Sequence, residues 1–324
     1  MSQGNYIRKV AIVGATGTVG KFIVEELLKL GKHEVTAITR VDSKAVIPNG
    51  VKVAKVDYND QSTLVKALQD QDALVITMSI RAPKETQSKL VKAAAEANVP
   101  YVLPNEWGVD SAKMPFGQDV LMGPDHVAIT KEIEELGKSS WISVVTGFWY
   151  EYSVAIGPNA YGFDYKNRTL TFIDDGETKF NTSTWQQSGR AAANLLALPV
   201  EPEKPGAPSL SGYKNKHVYV SSFLLNQKEI FASVLRVSGT KESDWKINYE
   251  ESVKRYEEAK KRLFSGDHTA FQKLLYSRTF YKDGSAYFEA RESLANDALG
   301  LPKEDLDERT KAAIDLAEKG ITYG

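Results

Sequence analysis

Residues 9–20 read KVAIVGATGTVG: an apolar, β-branched run from Lys9 to Val13, then Gly14, Gly17 and Gly20 at intervals of three. The run reads as a buried strand. Val19, Ile23, Leu27 and Leu30 then fall on one helical face, and Gly31 supplies a stop. The three glycines have separate uses in this setting. Gly14 permits a tight turn, Gly17 lets a pyrophosphate approach the backbone, and Gly20 lets the helix pack close to the strand. The helix N-terminus adds unpaired N–H groups and a positive potential that suits phosphate. Gly14, Thr16, Gly17, Thr18, Val19 and Gly20 are therefore the expected dinucleotide-binding turn. The competing reading is a glycine turn with no ligand, which the strand before and the helix after make the weaker one.

Working outward, five more short strands follow: 34–39 (EVTAIT), 51–56 (VKVAKV), 73–78 (ALVITM), 99–103 (VPYVL) and 141–146 (WISVVT). Helical stretches such as 62–69 and 86–98 lie between them. Short apolar strands alternating with helices predict βαβ units and a parallel sheet buried on both faces. The expected fold is α/β, a Rossmann-type doubly wound parallel sheet over residues 1–150. Past Gly147 the rhythm breaks. A turn-rich aromatic segment (157–167), strands at 169–173 and 217–221, a helix at 184–198 and a Pro/Gly-rich loop (201–212) follow, and mostly charged helix is expected from Leu225 onward. Residues 151–324 thus read as a smaller, interleaved C-terminal α/β substrate region.

Composition narrows the chemistry. The 324 residues carry 41 Lys and Arg against 42 Asp and Glu, a net charge of −1, which argues against a nucleic-acid surface. There is no cysteine, so thiol catalysis and thiolate metal sites are excluded. The four histidines, His33, His126, His217 and His268, are scattered singly along the chain, which argues against a metal site. No apolar run approaches the roughly 18 residues that span a bilayer. The N-terminal MSQGNYIRKV has no apolar signal core, so a cytoplasmic protein is expected.

The second strand ends Ile38-Thr39-Arg40. An Asp or Glu there would accept from a ribose 2′-hydroxyl, whereas an arginine pairs with a 2′-phosphate. With Lys44 four residues on as a second cation, the expectation is NADP(H) over NAD(H). The Tyr-x-x-x-Lys pair of many reductases occurs only as Tyr256 to Lys260, within a highly charged segment that reads as an exposed helix.

The fifth strand runs into Pro104-Asn105-Glu106-Trp107-Gly108. This YVLPNEWG resembles the PSEFG-type segment of the NmrA-like and isoflavone reductase-like family of atypical short-chain reductases, and the GxxGxxG turn is typical of such reductases. WISVVTGFWYEY (141–152), DDGETKFN (174–181) and Ser188-Gly189-Arg190 are similar to later family segments in the same order. The likeness covers roughly residues 7–200, more loosely to about 235, and is nearest to the fungal isoflavone reductase-like proteins. It implies NADPH, a cleft at the carboxyl ends of the strands and a small aromatic or phenolic substrate of phenylpropanoid type. The family's reductases use a lysine in the helix after PSEFG, and that position falls on His126.

The helix 126–136 places Ile129, Ile133 and Leu136 on its apolar stripe. His126 extends that stripe inward, while Lys131 faces solvent. An imidazole can donate or take a proton near neutral pH, so His126 is the expected catalytic acid or base, with Tyr150 as second choice. Capping or core hydrogen bonding is the equal alternative for His126. Thr77, Ser79 and Ile80 end the fourth strand and Asn105 the fifth, where the rest of the dinucleotide would lie. Glu106, Trp107, Phe148 and Trp149 are expected to wall a substrate pocket, and Tyr161 and Phe163 to lie on a loop covering it.

These readings predict an NADPH-dependent reductase of a small aromatic molecule, a monomer or homodimer with no membrane or nucleic-acid partner. Two alternatives stay open: an NADP-binding regulator of a protein partner, and a redox-neutral isomerase or cyclase that retains the dinucleotide.

Overall fold

The computed structural model describes residues 4–79, 82–83 and 85–320. The first half alternates strand and helix as its apolar pattern requires. In chain order the elements are β1 (Lys9–Val13), α1 (Gly20–Leu30), β2 (Glu34–Arg40), β3 (Lys52–Val56), α2 (Gln61–Leu68), β4 (Ala73–Ile76), α3 (Glu85–Glu96), β5 (Tyr101–Leu103), α4 (Phe116–Asp119), α5 (Gly123–Leu136) and β6 (Ser140–Val145). The second half continues with β7 (Phe148–Trp149), α6 (Tyr150–Ala155), β8 (Phe163–Asp164), β9 (Thr169–Ile173), β10 (Phe180–Ser183), α7 (Trp185–Leu196), β11 (Lys216–Tyr219), β12 (Phe223–Leu225), α8 (Gln227–Ser238), β13 (Lys246–Glu250), α9 (Ser252–Phe264), α10 (Ala270–Thr279) and α11 (Leu306–Lys319).

Seven parallel strands form the main sheet in the order β11-β6-β5-β4-β1-β2-β3. The period of two sorts its side chains. Val10 and Ile12 of β1 pack on one face with Ile23, Leu27 and Ala191 to Ala193, while Ala11 and Val13 pack on the other with Leu64, Leu90 and Ile129. Helices thus cover both faces, and the order of strand addition reverses between β1 and β4, with β2 and β3 added on one side and β5 and β6 on the other. In folds of this kind ligands bind at such a switch point, outside the carboxyl ends of the strands. Among the described residues no helix is long and apolar enough to cross a membrane.

Two three-stranded sheets, β12-β10-β7 and β13-β9-β8, surround a second core rich in aromatic rings. Beyond Leu225 the described residues carry one strand among their helices. Residues 246–250 form β13, which pairs in parallel with the free edge of β9. That pairing is a tertiary contact which charge composition hides. The 256–260 segment is not simply exposed either. Tyr256 is buried on α9 and its hydroxyl donates to the Asp119 carbonyl at 2.9 Å, so one face of this charged helix is core.

Candidate functional site

The glycine turn is built by close packing. Gly14 has φ of 81°, and a Cβ on it would meet the Thr77 carbonyl oxygen at 1.9 Å. A Cβ on Gly20 would meet the Gly14 carbonyl oxygen at 2.1 Å. The Thr77 hydroxyl donates to the Val13 carbonyl at 2.8 Å, so Thr77 ties β4 to the turn. Val19 is buried beneath the turn, whereas Thr16, Gly17 and Thr18 are exposed. Lys21 N donates to the Gly17 carbonyl at 3.1 Å, and Phe22 N and Ile23 N to the Val19 carbonyl at 3.1 and 3.2 Å, so the first turn of α1 is bonded back onto the glycine turn. The exposed surface of Thr16, Gly17 and Thr18 at this helix N-terminus is where a pyrophosphate would lie.

Arg40 and Lys44 are both exposed, Arg40 at the end of β2 and Lys44 in the loop beyond it. The nearest carboxylate to Arg40 is Asp42, 3.6 Å from its Nε. Ser43 N donates to the Arg40 carbonyl at 3.0 Å, which turns this loop back on the strand end.

At the neighbouring strand ends the expected residues hold one another. Asn105 accepts from Met78 N at 2.9 Å and donates to the Met78 carbonyl at 3.1 Å, while its own N–H donates to Gln87 Oε1. Trp107 is buried, and its indole donates to the Ile76 carbonyl at 2.8 Å. Both side chains are occupied in joining β4 to the segment after β5. Ser79 is exposed beyond β4, and Ile80 lies outside the described residues.

The first turn of α5 brings a buried polar chain together. His126 is 6% exposed and continues the inward stripe with Ile129 and Ile133, while Lys131 faces out. Its Nδ1 pairs with Oε2 of Glu106, which is itself buried. Glu106 Oε1 accepts from the hydroxyl of Ser111. On the other side His126 Nε2 lies 2.8 Å from Nε2 of His217, which stands on edge strand β11 opposite Ser143 of β6. Trp141 packs edge-on against His217 at 5.0 Å between ring centroids. His217 is only partly buried, and its pKa is lowered, chiefly by desolvation and next by the neighbouring His126. Asp110 closes the cluster, accepting from Arg291 at 2.9 Å and from the Tyr219 hydroxyl at 3.3 Å. Among the described residues no cluster of His, Asp and Glu is arranged to hold a metal ion.

Residues 7–160 match the NmrA-like family. This segment of the chain belongs to that family. Oxidoreductase aprR of Aspergillus flavus is 25% identical over 93% of this chain and 96% of its own length. Among solved structures, AtPrR2 with NADP+ and (+)pinoresinol superposes with a TM-score of 0.74 at 22% identity, covering 95% of this chain and 99% of that one. The crystal structure of isoflavone reductase gives 0.72 at 23% identity, covering 95% and 99%. At these identities the structural likenesses establish the fold.

The NmrA-like segment contains the glycine turn, Arg40, Glu106, His126 and the aromatic exit of β6. His217, Asp110's partner Arg291 and most of the second core lie beyond it. Several aromatic expectations need correction. Tyr150, the second-choice proton donor, is fully buried with its hydroxyl 2.6 Å from Thr310 Oγ1 of α11. Burial pushes its pKa far up, so this phenol keeps its proton. Tyr161 and Phe163 are not on a covering loop. Tyr161 packs against Phe180 and Tyr276, and Phe163 against Phe231 and Trp245. Buried Gln227 holds their segment down, donating to the carbonyls of Tyr161 and Thr171, both at 3.0 Å. Phe148 stacks on Tyr276 at 4.1 Å, and the Trp149 indole donates to the Trp107 carbonyl at 2.7 Å. A cavity lined by Val109, Asp110, Phe148, Asn181 and Phe288, among others, measures only about 10 Å³, room for a single water.

His217, Ser111 and Asp110 are the site residues that sequence reasoning missed. Two of the four histidines meet across 91 positions of chain, so they are not isolated in space. The only available signal was a histidine at the start of a strand expected late in the chain.

Proposed function

We propose that this protein is an NADP(H)-dependent oxidoreductase that reduces a small aromatic or phenolic molecule of phenylpropanoid type. The observation that carries the reading is the bare glycine turn at the topological switch point, with Arg40 and Lys44 exposed at and just beyond the adjacent strand end. Gly14, Thr16, Gly17, Thr18, Val19 and Gly20 would hold the pyrophosphate, and Arg40 and Lys44 the 2′-phosphate. Residues 1–150 would form the dinucleotide domain and 151–324 the substrate region. The relatives named oxidoreductase and the NADP+ complex of AtPrR2 support this assignment.

Bound NADPH would supply a hydride. The chain's own part is to orient the reactants, exclude water and provide a proton. Glu106 and His126 are the groups proposed for the proton, since they are buried, hydrogen-bonded to each other and set at the carboxyl end of the sheet. Tyr150 is dropped from that role.

The competing reading is an NADP(H)-binding regulator of a protein partner. It is favoured by the small cavity beside Phe148 and by the occupation of both His126 nitrogens. Calorimetric titration with NADPH and NADH, followed by NADPH oxidation with a panel of quinones, isoflavones and benzylic ethers, separates the two. Tight NADPH binding with turnover supports the reductase, and tight binding with no turnover across the panel supports the regulator. Equal weak binding of both nucleotides removes both readings.

A further inference from the structure

Both ring nitrogens of His126 are engaged, Nδ1 by Glu106 and Nε2 by His217. A histidine held in this way has no free nitrogen to offer a substrate. It can, however, pass a proton through itself, because an imidazole accepts on one nitrogen and releases from the other. The two ends of the chain differ. At the inner end the Glu106 carboxyl is 6% exposed and takes the Ser111 hydroxyl on its second oxygen. At the outer end His217 is partly open to solvent on edge strand β11.

We propose that Glu106, His126 and His217 form a proton relay that joins the carboxyl end of β5 to solvent at the sheet edge. A proton taken up at His217 Nδ1 releases the one on its Nε2 to His126 Nε2. His126 then gives its Nδ1 proton to Glu106, which becomes a neutral acid. At each hop one N–H bond breaks and one N–H or O–H bond forms, and no electrons are exchanged. The two Nε2 atoms at 2.8 Å cannot both carry protons, so the pair holds at most one extra charge. The charged and titratable groups around it are Glu106 after β5, Asp110 with its partner Arg291, Tyr219 beside His217 on β11, and Glu292. Asp110 and Glu292 favour the positive charge at His217, which would otherwise be costly to load from water. The use of this relay in turnover rests on the reductase reading, whereas its existence does not.

The test is the exchange rate of the His126 ring proton with water, measured by NMR on the full chain labelled with ¹⁵N-histidine, without nucleotide or substrate. His217→Phe removes the outer station. His217→Gln keeps a hydrogen-bonding partner for His126 but cannot hand a proton on. With a relay, both substitutions slow exchange by about tenfold or more, because exchange must then wait for local opening. If His217→Gln exchanges at the native rate, His217 is only a structural neighbour and the relay is overturned. Should His217→Phe fail to fold, the glutamine variant still decides. A chain with rapid, His217-dependent exchange but no NADPH turnover would keep the relay and lose the reductase reading. A reductase indifferent to His217→Gln in exchange would do the reverse.

Discussion

A Cβ on Gly14 would stand 1.9 Å from the carbonyl oxygen of Thr77, so β1 and β4 meet at the switch point with no room for a side chain. The positive φ of Gly14 adds backbone strain for any other residue. Gly14→Ala is therefore expected to destabilise the fold by about 1–3 kcal/mol through overpacking and to lose nucleotide binding. Gly17 is the contrast. A Cβ there would meet only the Gly14 oxygen at 3.1 Å and the Thr77 oxygen at 3.9 Å, and the residue is exposed. Gly17→Ala should melt near the native temperature yet bind NADPH more weakly. Thermal melts beside calorimetric titrations check both, and equal melting of the two variants would remove the distinction.

The contrast also marks what could be read from the chain alone. The turn was legible because every part of it is local: strand, glycines and helix lie within 9–30, and periodicity reports them directly. Arg40 was legible for the same reason, as the last residue of a strand. His126 facing inward followed from its spacing to Ile129 and Ile133. What it touches did not follow, since His217 is 91 positions away and reaches it only through the β6–β11 register. Tyr150, Tyr161 and Phe163 were misplaced because aromatic residues after a strand serve a pocket or a core equally well. Elements late in the chain settle that choice: Tyr276 of α10 and the adjoining Phe280 pack on Tyr161, Thr310 of α11 bonds Tyr150, and Phe231 of α8 and Trp245 pack on Phe163.

Arg40 carries the nucleotide preference. It is exposed, and among the described residues its one ion pair is a loose contact to Asp42 at 3.6 Å, so little must be broken for it to meet a phosphate. Arg40→Ala should weaken NADPH roughly ten- to hundredfold, the worth of a charge-assisted hydrogen bond, and leave NADH affinity unchanged. Lys44→Ala should show a smaller loss. Titration at two salt concentrations measures both, and an Arg40→Ala protein with native NADPH affinity would end the 2′-phosphate assignment.

Glu151 sets a pH dependence of stability unrelated to the chemistry. It is buried at the start of α6, its Oε1 has no partner among the described residues, and burial raises its pKa from the usual carboxylate value to about 7. The folded protein then binds a proton more tightly than the unfolded chain. This contribution is fully present below about pH 4.5 and is lost as pH rises through 7. At about 1.4 kcal/mol per pH unit the loss is on the order of 3 kcal/mol by pH 8. Glu151→Gln keeps the shape without the ionisation. It should be more stable than the native chain at pH 8 and nearly equal to it at pH 4. Urea unfolding at the two pH values checks this, and a constant difference between the proteins would assign the effect elsewhere.

Glu106 and His126 should prove coupled in stability as well as in chemistry. Removing the imidazole with His126→Ala leaves the Glu106 carboxyl buried with Ser111 as its remaining hydrogen-bond partner among the described residues. Breaking a buried pair from one side costs about 3–5 kcal/mol, because the other member stays desolvated. Glu106→Gln in the His126→Ala background removes the stranded charge, so the double variant should recover part of that loss. Urea unfolding of the two single variants and the double variant gives the coupling directly, and a value above roughly 0.5 kcal/mol marks a real interaction between neighbours. In turnover of any confirmed substrate, His126→Ala should lower kcat by about 10²–10⁴, the usual worth of a positioned acid or base. Full activity in a well-folded His126→Ala protein would take the proton step away from this pair, and additive stability losses would mean that the contact does not hold the fold.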